Sequence, residues 1–381
     1  MEPSPPPSSN PSEAFSDVPQ TPAPISRGIS DRELPNPCSM GYERYKNVAP
    51  FAQGGGAVLE TALDENLGRH VVIKKLLPEL RKDPVMQIRF FREARVSAMI
   101  QHPATVPVYE IGRDNEGVPY FTMKKVEGQS LQEVLKSVAS RDPAFKEFFA
   151  RERLVDIFLQ VARAVSSAHE SGVVHRDIKP SNIRVGDYGD VYLMDWGIAK
   201  VMENKAKLPE SGQVIEFENP EQLDLTESGR VYGTPRYMSP EQAQGDAEVD
   251  QRSDIFSLGI LLHEMLTERP LFIGADRDEI LRDVRTKFIK SPRSVVPLKM
   301  IPRELNAICM RALSHAPNDR YQTTRAMIDD LKAYRLGKGV SVQEDTPWEQ
   351  FNRWYRRTMT KPAWLALAGG LVAGFLIARI K

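Results

Sequence analysis

The sequence predicts an α+β protein of two unequal lobes, a small β-rich one followed by a larger helical one. Strand-like stretches crowd the start of the globular region, helical stripes fill the rest, and both chain ends differ from the middle in composition. The 381 residues carry 51 Lys+Arg and 51 Asp+Glu, so the formal net charge is zero. Hydrophobic residues make up 41%, enough to build a core. A balanced charge gives no support to nucleic-acid binding, which needs a basic face. Two cysteines, Cys38 and Cys309, exclude a disulfide scaffold and a four-cysteine zinc site, and they suit a reducing cytosol. The opening MEPSPPPSSN has neither the basic nor the apolar region of a signal peptide.

Residues 1–41 are rich in Pro and Ser, with too few apolar side chains to offset the entropy of ordering, so a disordered arm is expected. The small lobe is expected over 42–127. Residues 45–76 read as strands: a run to Phe51, then AQGGG, then AVLETALD, a turn at Glu65–Gly68, and VVIKKL. Residues 84–100 read as a helix with Met86, Phe90, Ser97 and Ile100 on one face and Glu93 in its middle. VPYFTMKKV at 118–126 reads as a further strand. The larger lobe is expected over 128–338. Leu154, Ile157, Phe158, Val161 and Val165 form one helical stripe, stopped by Gly172; Ile255, Leu258, Leu262 and Met265 form another.

Residues 339–361 are polar, then basic and aromatic, and a transmembrane helix is expected over 362–381. Its AWLALAGGLVAGFLIA (363–378) has no polar side chain. As a helix this run spans ~24 Å against a hydrocarbon core of ~30 Å, and Lys361, Arg379 and Lys381 can snorkel. Arg353, Arg356, Arg357 and Lys361 precede it. The positive-inside rule therefore places a single-pass protein in the cell membrane with its globular part in the cytoplasm. Gly370-x-x-x-Gly374 could pack two such helices into a homodimer.

The chemistry concentrates in the middle. HRDIKPSN at 175–182 puts an acid (Asp177), a base (Lys179) and an amide (Asn182) on one short loop. RVGDYGDVYLMDWG follows and reads as a hairpin delivering Asp195. Asn182 and Asp195 are oxygen ligands suited to a hard Mg²⁺ ion bound to phosphates. Asp177 could accept a hydroxyl proton, and Lys179 could neutralise a transferring phosphoryl group. Upstream, Gly54, Gly55 and Gly56 sit in a strand–turn–strand that can bring backbone N–H groups close to phosphates. Lys74 on the next strand can reach the same phosphates if Glu93 holds its ammonium.

These residues resemble the protein kinases, specifically bacterial serine/threonine kinases of eukaryotic type, over about residues 45–338. V-V-I-K (71–74) matches the strand-three lysine motif and Glu93 the glutamate of the following helix. H-R-D-I-K-P-S-N matches the catalytic loop, D-W-G (195–197) the metal-binding position, and G-T-P-R-Y-M-S-P-E (233–241) the end of the activation segment. The resemblance implies a bilobal kinase fold, ATP and Mg²⁺ as cofactors, and serine or threonine hydroxyls of proteins as acceptors. It implies that Lys74, held by Glu93, orients the ATP phosphates. Asp177 and Lys179 would serve transfer, and Asn182 and Asp195 would hold metal. Backbone at Lys124–Val126 would hold adenine beside Met123, with Ala52, Gly54, Gly55, Gly56 and Leu59 covering the nucleotide. Asp254 would brace the catalytic loop, Arg320 would pair with Glu241, and Arg176 could meet a phosphorylated Thr226 or Ser228. The chain departs from the family at the Gly-rich loop, where the pattern falls on Ala52, Gly54, Ala57 and Leu59 and keeps only its central glycine. An insert at 203–222 also lengthens the activation segment. The eroded loop leaves a second reading open, a pseudokinase acting as a nucleotide-binding or scaffolding module.

Overall fold

The computed structural model describes residues 40–54, 56–140, 148–202, 233–246 and 248–343. The arm before residue 40, Gly55, the 203–222 insert, Thr226, Ser228 and the expected membrane helix at 362–381 lie outside the described residues. Among the described residues, no helix is long and apolar enough to cross a membrane.

The first apolar runs form an antiparallel meander: β1 (Tyr45–Gly54), β2 (Ala57–Asp64) and β3 (Arg69–Leu76). β4 (Val108–Arg113) and β5 (Pro119–Lys124) complete a five-stranded sheet of order β1-β2-β3-β5-β4. Val71, Val72 and Ile73 of β3 are buried in succession, because both faces of this central strand are covered. On one face Tyr45, Ala62, Val71, Ile73 and Tyr120 pack together. On the other lies α1 (Pro84–Met99), begun by the Asp83 side chain, which accepts from the Val85 and Met86 N–H groups, with proline at the first helical position.

α1 does not bury the stripe its sequence suggests. Phe90, Ala94, Val96 and Met99 are its buried residues, while Met86 and Ser97 are half-exposed. The helix lies between two layers. Phe90 and Ala94 pack on Leu76 and Phe121 of the sheet, whereas Val96, with Ile100 just beyond the helix, joins the core of the large lobe. Two contact faces blur a single periodic stripe.

In the large lobe, α2 (Leu131–Ala139) opens with a reciprocal capping box between Ser130 and Glu133. α3 (Arg151–Glu170) is halted at Gly172, which takes φ 75. Three short strands follow the hinge: β6 (Gln129–Ser130), β8 (Ile183–Val185) and β9 (Val191–Leu193) form one small sheet. β7 (Val173–Val174) pairs with β10 (Lys200–Val201). After α4 (Pro240–Gln244), α5 (Gln251–Thr267) runs through the lobe and is buried on all sides. α6 (Arg277–Thr286), α7 (Pro292–Val295), α8 (Arg303–Ala312) and α9 (Thr324–Arg335) surround it. One apolar core joins α2, α3, α5, α8 and α9. The loops that carry the charged motifs emerge at its edge, facing the small lobe.

Candidate active site

The catalytic loop starts where α3 ends and β7 gives way to His175. A fully buried carboxylate on α5 fixes this segment. Asp254 accepts the backbone N–H groups of His175 and Arg176, each at 2.8 Å, and His169 Nε2–H donates to it at 2.8 Å. His169 is held in turn by Thr324 Oγ1 at 3.0 Å. Burial pushes the Asp254 pKa up. The donors from His169 and the Arg176 N–H, with the nearby imidazoles, more than offset this and leave it below the ordinary carboxylate value. With both oxygens anchored, Arg176 is held at φ 67, a conformation that costs a non-glycine residue about 1 kcal/mol.

The reactive groups come next along the loop. Asp177 Oδ2 accepts from Lys179 Nζ at 2.6 Å and from Asn182 Nδ2 at 3.2 Å, and Oδ1 accepts the Thr234 N–H at 3.0 Å. Lys179 Nζ also donates to Thr234 Oγ1 at 2.7 Å, which ties the end of the activation segment to the loop. His175 serves structure: Nδ1 accepts the Asp177 N–H at 3.2 Å, Nε2–H donates to the Met194 carbonyl at 3.1 Å, and the ring lies 4.4 Å from that of buried Trp196. Arg320 forks onto Glu241 at 2.7 and 2.8 Å and gives its other N–H groups to the Ser314, His315 and Arg252 carbonyls. That pair, with its arginine fully buried, locks α4 to the lobe behind Thr234.

The β8–β9 hairpin places the two prospective metal ligands together. Ile183 pairs with Leu193, and the Met194 N–H donates to the Asn182 carbonyl at 2.8 Å, so Asn182 and Asp195 flank the same hairpin end. The donor set fits a hard divalent cation. Asn182 uses its amide N–H groups on Asp177, at 3.0 Å to the carbonyl and 3.2 Å to the side chain, which keeps its side-chain oxygen for a cation. Asp195, at φ 63, presents a carboxylate whose one described hydrogen bond is a long one from the Gly197 N–H, 3.4 Å. A Cβ at Gly197 would lie 3.2 Å from Asp195 Oδ1 and 3.4 Å from Glu93 Oε2, so glycine lets the two carboxylates approach here.

The small lobe supplies the opposite wall. Directly opposed cross-strand residues share a face. Ala52 opposes Leu59, Leu59 opposes Lys74, and Lys74 opposes Phe121. Lys74 Nζ donates to Glu93 Oε1 on α1. Burial pulls the Lys74 pKa down, but the Glu93 and Asp195 carboxylates outweigh it and hold the ammonium above its ordinary value. Burial pushes Glu93 up, with the Asp195 charge adding and Lys74 opposing. Gly54 pairs with Ala57, and between them Gly56 takes φ 83 in the turn. The glycine requirement has moved from 52 and 57 into the turn itself. At the hinge, half-buried Met123 touches both the α1 cluster and the Val106–Val126–Tyr192 cluster, and the Lys124 ammonium bonds the Tyr192 hydroxyl.

Sequence reasoning missed His169 and Thr324, which complete the shell of Asp254, and the Thr234 contacts to Asp177 and Lys179. No local signal marks the first two, which lie far apart along the chain and meet only through the packing of α9 on α3. Thr234 sits in the G-T-P-R-Y-M-S-P-E segment, which marked its place but not its partners.

A sheet lobe and a helical lobe that pool their charged side chains in the cleft between them define a class of phosphate-handling domain. The chain belongs to the protein kinase domain family, whose model matches residues 45–331. It is 31% identical over 320 residues to serine/threonine-protein kinase PknD of Protochlamydia amoebophila, covering 80% of this chain and 32% of that one. It is 37% identical over 302 residues to a probable serine/threonine-protein kinase of Streptomyces coelicolor, covering 78% and 41%. It is 33% identical over 317 residues to the probable serine/threonine-protein kinase PknB of Bifidobacterium longum, covering 80% and 41%. The chain thus spans less than half the length of these relatives.

Proposed function

We propose that the protein transfers the γ-phosphoryl group of ATP to serine and threonine hydroxyls of proteins, with Mg²⁺ as the metal. One observation carries this reading: a lysine–glutamate pair from the small lobe and an aspartate, lysine, asparagine and second aspartate from the large lobe converge on one cleft. Phosphoryl transfer asks mainly for positioning and charge neutralisation. Lys74 contributes a fixed ammonium for the ATP phosphates. Asn182 and Asp195 would hold Mg²⁺, which when bound supplies positive charge to phosphate oxygens. Asp177, its carboxylate oriented by Lys179 and the Thr234 N–H, accepts the proton of the acceptor hydroxyl. Lys179 neutralises the transferring oxygens and, through Thr234, couples the loop to the segment expected to bear the peptide. The pseudokinase alternative rested on the eroded Gly-rich pattern, and Gly56 in the turn removes most of that support.

Three finer readings go with it. Among the described residues, the buried Arg176 Nε has no hydrogen-bond partner, and burial, with Arg92 adding repulsion, pushes its pKa down to about 10 despite Asp254. Such a guanidinium favours an incoming anion, which supports autophosphorylation at Thr226 or Ser228. The apolar run 363–378 supports a membrane tether with the kinase domain on the cytoplasmic face, and Gly370 and Gly374 support dimerisation there.

Full-length protein with Mg²⁺ and labelled ATP, scored by phosphosite mapping beside Asp177→Asn, tests the reaction. We expect the variant to bind ATP and lose at least ~10²-fold in turnover, about 2.7 kcal/mol of barrier. A variant with wild-type turnover overturns the assignment. Loss of membrane association on deleting 362–381 is the expected result for the tether.

A further inference from the structure

Among the described residues, a stretch of the large lobe that begins at the end of α6 has the composition of a lipid-binding face. Between Asp283 and Glu304 the chain has no acidic residue but holds Arg285, Lys287, Lys290, Arg293, Lys299 and Arg303, in a protein whose charges balance overall. This strap, residues 284–303, projects three large apolar side chains almost wholly into solvent: Phe288 at 86%, Leu298 at 96% and Met300 at 81% exposure. The strap itself is well anchored. Ile301 is buried, and Ile289 and Val296 pack on the large-lobe core. His263 Nε2–H of α5 donates to the Lys290 carbonyl at 3.2 Å, and Arg151 donates to that of Lys299 at 2.9 Å. Asp283 and Glu268 pair with Lys287 and Lys299, each at 2.7 Å, whereas no ion pair involves the side chains of Lys290 or Arg293 among the described residues.

We infer that this strap docks on an anionic lipid bilayer. Rigidly held basic residues interleaved with protruding apolar ones match the two layers of such a surface, negative headgroups above hydrocarbon. The apolar side chains stand out instead of lining a hollow, so a fluid interface can take them without a shaped pocket. Basic residues near an anionic membrane add attraction that screens within a Debye length of ~8 Å. Position supports the same occupant. His263, which carries the strap, lies nine residues along α5 from Asp254, roughly 14 Å from the catalytic loop by helix rise. Lys290, whose carbonyl His263 holds, therefore lies toward the opposite end of α5 from Asp254. The inference goes beyond the C-terminal tether and does not depend on it.

The test places a bimane label at position 298 (Leu298→Cys) in the full-length chain with Cys38→Ser; Cys309 is buried and inert. A control carries the label at the small-lobe turn instead (Leu67→Cys), where the native side chain is 63% exposed. The proteins are reconstituted with phosphatidylcholine vesicles, with or without phosphatidylserine, that contain nitroxide-labelled lipid. Quenching is expected at 298, with phosphatidylserine, in low salt, and not at 67. Lys290→Glu with Arg293→Glu should lower the docked-to-undocked ratio read from quenching by roughly 10²-fold. Both changes are on exposed side chains, so folding is retained. Equal quenching at 67 and 298, quenching indifferent to phosphatidylserine, or none at 298 overturns the inference. So does a shift from dimer to monomer in the double variant without lipid, which would assign the face to a second copy. The tether is read separately, from whether the chain stays with the vesicles in high salt, so the two readings fail independently.

Discussion

On the large-lobe wall of the cleft, Asp254 receives two backbone N–H groups and an imidazole, and Asp177 receives a backbone N–H, an ammonium and an amide. On the small-lobe wall, among the described residues Lys74 has one ion pair, to Glu93 reaching across from α1, with the Asp195 charge nearby. One wall is tied to the buried middle of a lobe at several points. The other depends on where one helix sits. The first arrangement gives a catalytic loop that is already in place before any substrate arrives. The second makes the phosphate-orienting lysine only as well placed as α1.

The sharpest way to break this comparison is Asp254→Ala. It strands the His175 and Arg176 N–H groups and His169 around a fully buried position. A loss of about 3–5 kcal/mol in urea unfolding is expected. A loss under about 1 kcal/mol would mean that the loop is held by something else. Titration sharpens the point. Asp254 has a folded pKa below its ordinary value, so its stabilising contribution is full above the unfolded carboxylate pKa of about 3.9. That contribution drains away as pH falls through the folded value. Asp254→Asn removes this source of acid sensitivity, so unfolding free energy should fall less steeply below about pH 4 than in the native protein. Parallel curves for the two proteins would contradict the assignment.

Glu93→Gln probes the other wall and should give the reverse pattern. It removes a buried carboxylate whose burial opposes its charge but leaves the buried Lys74 ammonium with the Asp195 charge to offset it, so stability should fall by about 1–2 kcal/mol, less than for Asp254→Ala. Lys74 keeps Asp195 but loses its fixed partner, and kcat/KM for ATP should drop roughly tenfold or more. A variant that unfolds as readily as Asp254→Ala would erase the distinction between the walls.

Legibility in the sequence follows the same division. Groups adjacent along the chain were readable: the HRDIKPSN loop, the D-W-G turn and the V-V-I-K strand each carry their chemistry within a few residues. The succession of small-lobe strands and then large-lobe helices was readable from apolar runs and stripes. β4 was not, because its six residues VYEIGR are half-exposed and offer no continuous apolar run. The buried face of α1 was misread, because the helix serves two layers at once. The Asp254 shell was unreadable beyond Asp254 itself: His169 and Thr324 lie 85 and 70 residues from it along the chain, and nothing local records their meeting.

The mildest test concerns the turn that covers the nucleotide. Gly56 stands at φ 83, and a Cβ there would lie 3.0 Å from Leu80 Cδ1. Alanine would therefore meet both backbone strain and a near clash with a movable side chain, at a cost of about 1 kcal/mol. Because the hairpin covers the nucleotide without supplying charged groups, this cost should appear in KM for ATP, as a rise of about fivefold, with kcat largely unchanged. Gly54 gives the contrast. It pairs with Ala57 at negative φ with open space around its Cβ position, so Gly54→Ala should change KM by less than about twofold. If the two substitutions raise KM equally, the glycine requirement does not sit at Gly56, and the departure from the family pattern at 52 and 57 must weaken nucleotide binding directly.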